Sequence, residues 1–411
     1  MIKTLIICLL FTGFYSQAQK IIPIDTSNVT TLRIDVGNAF GASASEVFES
    51  STYIPLETTK ESLFGKIDQL EITDDYFIIL DETTNCILFF TKNGKFHHKI
   101  YGGGKHRMGN REEIRSFKLN RWKNEIAFVQ IINGKWMHLV FDLKGTKKAE
   151  IVVKDEEMLN ESRFITESIA ISPFLYEDDK ADRVKTRFLV NYVTNYTNVT
   201  ANAFPYDVPS LKIKDDYYST VERLSDSGLD TAIFFTRTSD YNIFKISPSR
   251  VQNLYRIIFP TINSVPVNFL ADSIFQGKRI KLYKANPEWI YDVTNVMKAG
   301  NNLLFYISKL HPVNLIYNLK SGASIDVDHI LTDSSTYFLP VNKGKYYHTF
   351  PLTACDGEFV YTSFSSAVMF DAHEENKDKN IKYNTILSDY FTQRNKTDNP
   401  VILQFKLKEK L

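Results

Sequence analysis

The stretch that decides the fold runs from Lys66 to Tyr101 and reads KIDQLEITDDYFIILDETTNCILFFTKNGKFHHKIY. It contains short apolar runs separated by the turn-forming segments Asp74-Asp75, Thr83-Thr84-Asn85 and Asn93-Gly94. The Asn-Gly pair is the strongest hairpin signal in the chain, because both central positions of such a turn need positive φ. The pattern predicts four consecutive antiparallel strands, which is typical of one blade of a β-propeller.

Units of this kind recur along the chain. A second hairpin is centred on Asn133-Gly134, and Gly94 and Gly145 occupy matching places about one blade length apart. Six units are predicted, at residues 67–100, 124–153, 168–193, 231–259, 289–327 and 345–407. No unit can bury both of its faces alone, so the units must stack into a ring. The predicted fold is therefore an all-β, six-bladed β-propeller with four-stranded blades, in a single domain over residues 51–411.

The ring needs a closing strand, and residues 51–57 (STYIPLE) supply a candidate. Pro55 cannot donate a ladder hydrogen bond, so this strand belongs at a sheet edge. We expect it to join the C-terminal blade, whose last strand is predicted at 400–407. Residues 19–50 read as a loosely attached N-terminal arm. Residues 367–370 read as a strand, followed by a polar, partly helical insertion at about 371–399.

The N-terminus has the three parts of a signal peptide over residues 1–18. Lys3 supplies the charge, residues 5–14 the apolar core, and Ser16-Gln17-Ala18 the cleavage site. Cys8 does not fit a lipoprotein signal, because bulky Ile7 precedes it. The apolar run is shorter than the roughly 20 residues of a membrane span. We expect an exported protein without a transmembrane segment, in the periplasm or on the extracellular face of a bacterial envelope.

Charge and composition limit the classes of partner and of core that the chain can have. The chain has 49 basic and 48 acidic residues, and loss of Lys3 with the signal peptide would balance them. This balance argues against nucleic acid as a partner. The 30 Phe and 22 Tyr residues favour strands and a large core. Cys86 and Cys355 either form a disulfide, which an oxidising compartment permits, or remain separate buried thiols.

Three segments together resemble a family of secreted bacterial six-bladed β-propellers related to NHL-repeat proteins: STYIPLETT, DDYFIILDETTNCILFFTKNGKF and DNPVILQFKLK. The resemblance implies the propeller fold, an envelope location and often a setting among glycan-uptake genes, and it implies no established reaction. Family members usually carry a Gly-x-Gly-Pro-Gly-Glu-like loop after the first blade. Here that loop reads GGGKHRMGNREE and lacks the proline.

The Gly-rich loop is a candidate anion site, because backbone N–H groups and nearby cations suit phosphate, sulfate or a uronate. The alternative is a connection between blades whose charges are simply solvated. The candidate ligand-binding residues of the loop are Lys105, His106, Arg107 and Arg111.

Trp122 completes the candidate ligand-binding set. Arg121 and Lys123 flank it, so among the three tryptophans it is the one we expect to be accessible for stacking on a sugar ring. Trp136 and Trp289 are better explained as core residues.

No catalytic residue, metal site or cofactor is assigned from the sequence. His97 and His98 are neighbours in a strand and are expected to point to opposite faces. Under an alternative, a calcium-dependent, lactonase-like hydrolase or lyase would place oxygen ligands in the central channel. The candidate calcium ligands under this alternative are Asp81, Asn124, Asp240 and Asp356. These side chains could instead cap turns.

Two functions remain open at this point. The first is a non-enzymatic binding or scaffold protein of the cell envelope, expected to be a monomer, which presents its loops to a glycan, peptide or partner protein. The second is the calcium-dependent hydrolase or lyase. The fold does not decide between them, because propellers host both roles.

Overall fold

The structure is a computed structural model that describes residues 20–102, 113–153, 162–174, 186–196, 198–207, 224–342 and 354–411. It is a mainly-β propeller, in which the first strands of several neighbouring sheets contact one another around a central axis. The predicted signal peptide lies outside the described residues.

Short elements precede the first sheet: β1 (Lys20–Ile21), β2 (Ile24–Asp25), β3 (Thr30–Arg33), α1 (Ala44–Val47) and β4 (Phe48–Pro55). The first sheet contains β5 (Gln69–Ile72), β6 (Tyr76–Asp81), β7 (Cys86–Thr91) and β8 (Phe96–Tyr101). The second sheet contains β9 (Phe117–Asn120), β10 (Glu125–Ile132), β11 (Lys135–Asp142) and β12 (Lys147–Val152). The third sheet contains β13 (Arg163–Phe164), β14 (Ile169–Pro173), β15 (Thr186–Thr194) and β16 (Asn198–Asp207).

The remaining sheets are accompanied by the longer helices of the described residues. The fourth sheet contains β17 (Leu224–Leu229), β18 (Ala232–Arg237), β19 (Asp240–Ser247) and β20 (Arg250–Ile258), and is followed by α2 (Arg279–Ala285). The fifth sheet contains β21 (Asp292–Ala299), β22 (Asn302–Ser308), β23 (Val313–Asn318) and β24 (Ser324–Asp326). The sixth sheet contains β25 (Ala354–Cys355), β26 (Phe359–Phe364), β27 (Val401–Leu407) and β4, with α3 (Ser366–Glu375) and α4 (Thr385–Gln393) between β26 and β27.

Neighbouring sheets pack face to face, and the sixth packs against the first. Phe89 of the first sheet shares a buried cluster with Phe117 and Phe128 of the second. Phe77 of the first sheet lies in another cluster with Tyr361 of the sixth, and their ring centroids are 5.9 Å apart. Because strand side chains alternate, each sheet can bury one face against each neighbour. The core therefore consists of the seams between sheets.

The sixth sheet is closed by the N-terminal strand, as the sequence predicted. β4 pairs antiparallel with β27, with Tyr53 opposite Leu403. β4 is the edge strand of this sheet, and Pro55 is its last residue. Tyr53 is buried, and its hydroxyl donates to the backbone oxygens of Leu339 and Pro340. The closing strand is thus held by its ladder and by the core beneath it.

The expectation of a loosely attached arm is wrong. β1 pairs in parallel with β16, and β3 pairs in parallel with β20. Phe40 and Ser43 then form bridges to Ile325 and Leu331 beside the fifth sheet. The arm follows the outer edges of the third, fourth and fifth sheets because their last strands offer unpaired backbone groups.

The strand predicted at 367–370 is also wrong, because these residues belong to helix α3. The side chain of Ser365 caps this helix by accepting from the backbone N–H of Val368 over 3.3 Å. Met369 and Ala372, three positions apart, lie on its buried face. A short apolar run fits a strand and a buried helix equally well. The strand predicted at 345–352 lies outside the described residues.

Candidate functional site

The connections of the propeller divide between its two ends. At one end, which we call the short-turn end, the first strand of each sheet turns into the second and the third into the fourth. In the first sheet these turns are residues 73–75 and 92–95. At the opposite, crossing end, the chain passes between sheets and from second to third strands. Residues 259–291 and the two-helix segment 365–400 lie there.

Four charged side chains from four sheets meet at the axis near the short-turn end. We call Glu71, Arg121, Arg163 and Asp230 the axial charge cluster. Nη1 of Arg163 donates to Oε1 of Glu71 over 3.2 Å. Nη2 of Arg121 lies 3.9 Å from Oε2 of Glu71, and Nε of Arg121 lies 3.8 Å from Oδ1 of Asp230. The cluster joins sheets that are not neighbours, since Glu71 belongs to the first sheet and Arg163 to the third.

The members of the cluster differ in their exposure. The side chain of Glu71 is 11% exposed and that of Arg121 is 34% exposed. Nη1 of Arg121 also donates to the backbone oxygen of Ile72. Ion pairs that are partly in water contribute little stability, about 1 kcal/mol or less each. The side chain of Asp230 is 73% exposed. The cluster therefore contributes little to stability and places a guanidinium beside carboxylates at this end of the propeller.

Two glycines bring the other sheets together at this end of the axis. A Cβ on Gly357 would lie 3.0 Å from the backbone oxygen of Gly228, and a Cβ on Gly228 would lie 2.8 Å from that of Lys298. The backbone N–H of Gly300 donates to the oxygen of Gly357 over 3.0 Å. The fourth, fifth and sixth sheets are thus in backbone contact beside the axial charge cluster.

Trp122 lies in the turn between β9 and β10, at the same end of the propeller. Its side chain is 37% exposed, as expected from its charged neighbours. Nζ of Lys123 lies 3.9 Å from Oε1 of Glu167, and Nδ2 of Asn120 donates to the backbone oxygen of Glu167 over 2.9 Å. An exposed indole therefore stands between the Arg121 and Lys123 ion pairs. An aromatic face beside charged hydrogen-bonding groups suits the apolar face and hydroxyls of a sugar ring.

The basic loop residues of the predicted ligand site lie outside the described residues: Lys105, His106, Arg107 and Arg111. Gly102 and Glu113, which flank the loop on its described sides, belong to the crossing connection between β8 and β9. Trp122 lies at the other end of β9. The chain path therefore separates Trp122 from Glu113 by the length of β9.

The candidate calcium ligands serve local structure and are spread over four sheets. Oδ2 of Asp81 accepts from the backbone and hydroxyl of Thr84. Oδ1 of Asp356 accepts from two backbone N–H groups of its turn. Asp240 pairs with Arg237, and Asn124 takes a positive φ in a turn. Within the described ranges, no group of three or more His, Cys, Asp or Glu side chains could hold a metal ion.

His97 and His98 do not point to opposite faces as expected, since their Nδ1 atoms lie 2.7 Å apart. The ladder between β7 and β8 shifts register between Phe89 and Phe90, where Phe89 pairs with His98 and Phe90 with Phe96. His97 is the extra residue of this bulge, and a bulge breaks the alternation of side chains.

Cys86 and Cys355 are buried thiols and are not joined by a disulfide. The Sγ of Cys86 contacts the backbone oxygen of Thr84, and burial raises the pKa of this thiol. Cys355 lies in a separate cluster between the fifth and sixth sheets.

The sequence reasoning missed Glu71 and Arg163. Glu71 interrupts the apolar pattern of β5, which is a signal that could have marked it. Arg163 belongs to a two-residue strand with no comparable signal.

The fold defines the class of this protein as a mainly-β propeller. The chain belongs to the family described as a domain of unknown function, DUF4934, which matches residues 29–406. No curated protein matches it in sequence.

Solved structures also resemble the chain. A Bacteroides fragilis protein, provisionally named as exported, is 15% identical with a TM-score of 0.68, over 92% of this chain and 100% of that one. The virginiamycin B lyase of Staphylococcus aureus is 10% identical with a TM-score of 0.36, over 76% of this chain and 81% of that one. Among the described residues, no helix is long and apolar enough to cross a membrane.

Proposed function

We propose that this protein is an exported, non-enzymatic binding protein of the bacterial cell envelope, which holds a glycan at the short-turn end of its propeller. The observation that carries the proposal is the exposed indole of Trp122 beside the axial charge cluster. Aromatic stacking supplies affinity for the face of a sugar ring, and fixed charged groups hydrogen-bond its hydroxyls.

The rigidity of this surface supports a binding role. Arg121 is held by its hydrogen bond to the backbone oxygen of Ile72, and it lies 3.9 Å and 3.8 Å from the carboxylates of Glu71 and Asp230. A side chain whose position is already fixed loses little entropy when a ligand binds. The site is therefore prepared for a ligand without a large rearrangement.

Export is supported by the tripartite N-terminal pattern and by the provisional name of the Bacteroides fragilis protein. We also propose that the ring has six blades, one for each sheet. This proposal is supported by the shared seams of neighbouring sheets, including the seam between the sixth and the first. A monomer accounts for these features, because the ring closes within one chain.

The proposal is tested on the mature protein with a glycan array, followed by calorimetric titration of the best ligand. Trp122→Ala should weaken binding at least tenfold, which corresponds to about 1.4 kcal/mol. Tyr101→Ala is the matched control, since Tyr101 is an exposed aromatic residue at the crossing end. It should leave affinity unchanged. No glycan binding, or binding that survives Trp122→Ala, would overturn the proposal.

A further inference from the structure

The seam between the second and third sheets differs from the other seams. The other five neighbouring pairs share clusters of thirteen or more buried apolar residues in the described part of the chain. Here the shared cluster has only two buried members, Val129 and Val153, with Trp136 and Tyr196 packed against them. Among the described residues, apolar packing across this seam is therefore limited.

Two buried basic side chains lie in the seam. On β9, Phe117 and Leu119 belong to the cluster with the first sheet, so Lys118 between them faces the third. On β11, Met137 and Leu139 belong to that same cluster, so His138 also faces the third sheet. Lys118 is 4% exposed and His138 is 0% exposed.

These two side chains lack partners. Nζ of Lys118 and both ring nitrogens of His138 are buried, and none has a hydrogen-bond partner among the described residues. Burial lowers the pKa of Lys118 well below its usual value. Burial and the nearby Lys118 lower the pKa of His138 to about 3. Leaving such buried groups unpaired destabilises the folded protein.

The surroundings of the two basic groups are small or aromatic. Ala127 pairs with Lys118 in the ladder of β9 and β10. Ala170 alternates with Ile171, which faces the fourth sheet, so Ala170 faces the seam from the third sheet. The ring of Tyr196 lies 4.2 Å from that of His138. Small side chains therefore neighbour Lys118 on the second sheet and face the seam from the third, and the ring of Tyr196 packs against His138.

We propose that this seam is a binding site for a small organic carboxylate. Lys118 is the counter-ion of the carboxylate, and an N–H of His138 donates to its second oxygen. The two groups lie on one face of the second sheet, and a carboxylate offers two acceptor oxygens to two such donors. The site does not depend on Trp122, so it goes beyond the glycan-binding proposal.

The test is thermal melting of the mature protein at constant ionic strength and pH, with acetate, succinate, phosphate or chloride. A carboxylate should raise Tm saturably, by about 2 °C at ten times its Kd. Lys118→Met should abolish this shift, because Met has a similar volume and no charge. Lys135→Met is the matched control on β11, where the side chain is exposed, and it should keep the full shift.

A second variant keeps the test decisive if Lys118→Met does not fold. His138→Phe preserves an aromatic ring against Tyr196 and removes the donor, so it should weaken the carboxylate at least tenfold. Trp122→Ala should leave the shift unchanged, which separates this site from the glycan surface. The proposal is overturned by no shift with any carboxylate, by equal shifts with phosphate or chloride, or by a shift that persists without Lys118 or His138.

Discussion

Asn399 holds the closing strand to the ring, and its replacement by Ala should destabilise the whole propeller. Its side chain is buried and makes three hydrogen bonds to backbone groups of the segment between β4 and β5. Nδ2 donates to the oxygens of Glu57 and Ser62, each over 2.8 Å. Oδ1 accepts from the N–H of Phe64 over 2.9 Å. Asn399 lies two residues before Val401, the first residue of β27, so it links the sixth sheet to the entry of the first.

The expected loss of stability follows from these three hydrogen bonds. Asn399→Ala leaves the carbonyl of Ser62 and the N–H of Phe64 without their partner, and each buried unpaired group costs about 1–3 kcal/mol. The carbonyl of Glu57 loses one of two donors, because the hydroxyl of Ser62 still donates to it over 2.7 Å. Relaxation and water entry reduce the sum, so we expect a loss of about 3 kcal/mol. Urea unfolding followed by circular dichroism measures this loss, as a lower midpoint with an unchanged m value.

Two further variants sharpen the interpretation. Asn28→Ala removes an exposed asparagine side chain and should change stability by less than about 0.5 kcal/mol. Asn399→Asp keeps the acceptor for Phe64 but places a carboxylate against two carbonyl oxygens. The pKa of the introduced carboxyl should therefore be raised in the folded state. As the pH falls and this carboxyl becomes a donor, the stability that the variant loses relative to wild type should shrink. A loss below about 1 kcal/mol for Asn399→Ala would refute the assigned role.

Two other predictions concern the turn and cap that hold the closing region. Gly94 has φ of +80°, and a Cβ there would lie 2.3 Å from the backbone oxygen of Pro55. Gly94→Ala should therefore lower the free energy of unfolding, measured in urea, by about 2–4 kcal/mol. Gly134→Ala is the control and should cost about 1 kcal/mol, because φ is also positive there but nothing lies within 4 Å. Equal losses in the two variants would contradict the assigned contact with Pro55. Burial raises the pKa of Asp333, but hydrogen bonds from Ser335 and Ser45 outweigh it and lower this pKa to about 2. Because the pKa of Asp333 is depressed in the folded state, wild type should lose stability relative to Asp333→Asn as the pH falls from about 5 to about 2.5. Parallel profiles of unfolding free energy against pH for the two proteins would count against this linkage.

Local turn chemistry explains why much of the fold was predictable. The Asn93-Gly94 hairpin and the proline-bearing strand at Pro55 are short-range signals, and the structure contains both. In this hairpin Gly94 takes a positive φ, whereas Asn93 does not, so the expectation of positive φ at both positions is wrong. The arm was misjudged because its pairing partners on β16 and β20 lie far away in sequence. The two-residue strand β13 lacks the periodicity that sequence reasoning needs.

The candidate site was only partly predictable for a related physical reason. Trp122 has a local signal, since two basic residues flank it. The contact between Glu71 and Arg163 joins residues 92 positions apart, on sheets that are not neighbours. Only the closed ring brings them to one axis. The burial of Lys118 and His138 likewise depends on the approach of the third sheet to the second.

The most direct test of the binding proposal is hydrogen–deuterium exchange of the mature protein with and without its best glycan ligand. Our account predicts slower exchange in the turn at residues 121–124 and in the neighbouring turns 165–168 and 230–231, all at the short-turn end. Residues 238–239 and 309–312 at the crossing end should be unchanged. Protection confined to the crossing end would contradict the account.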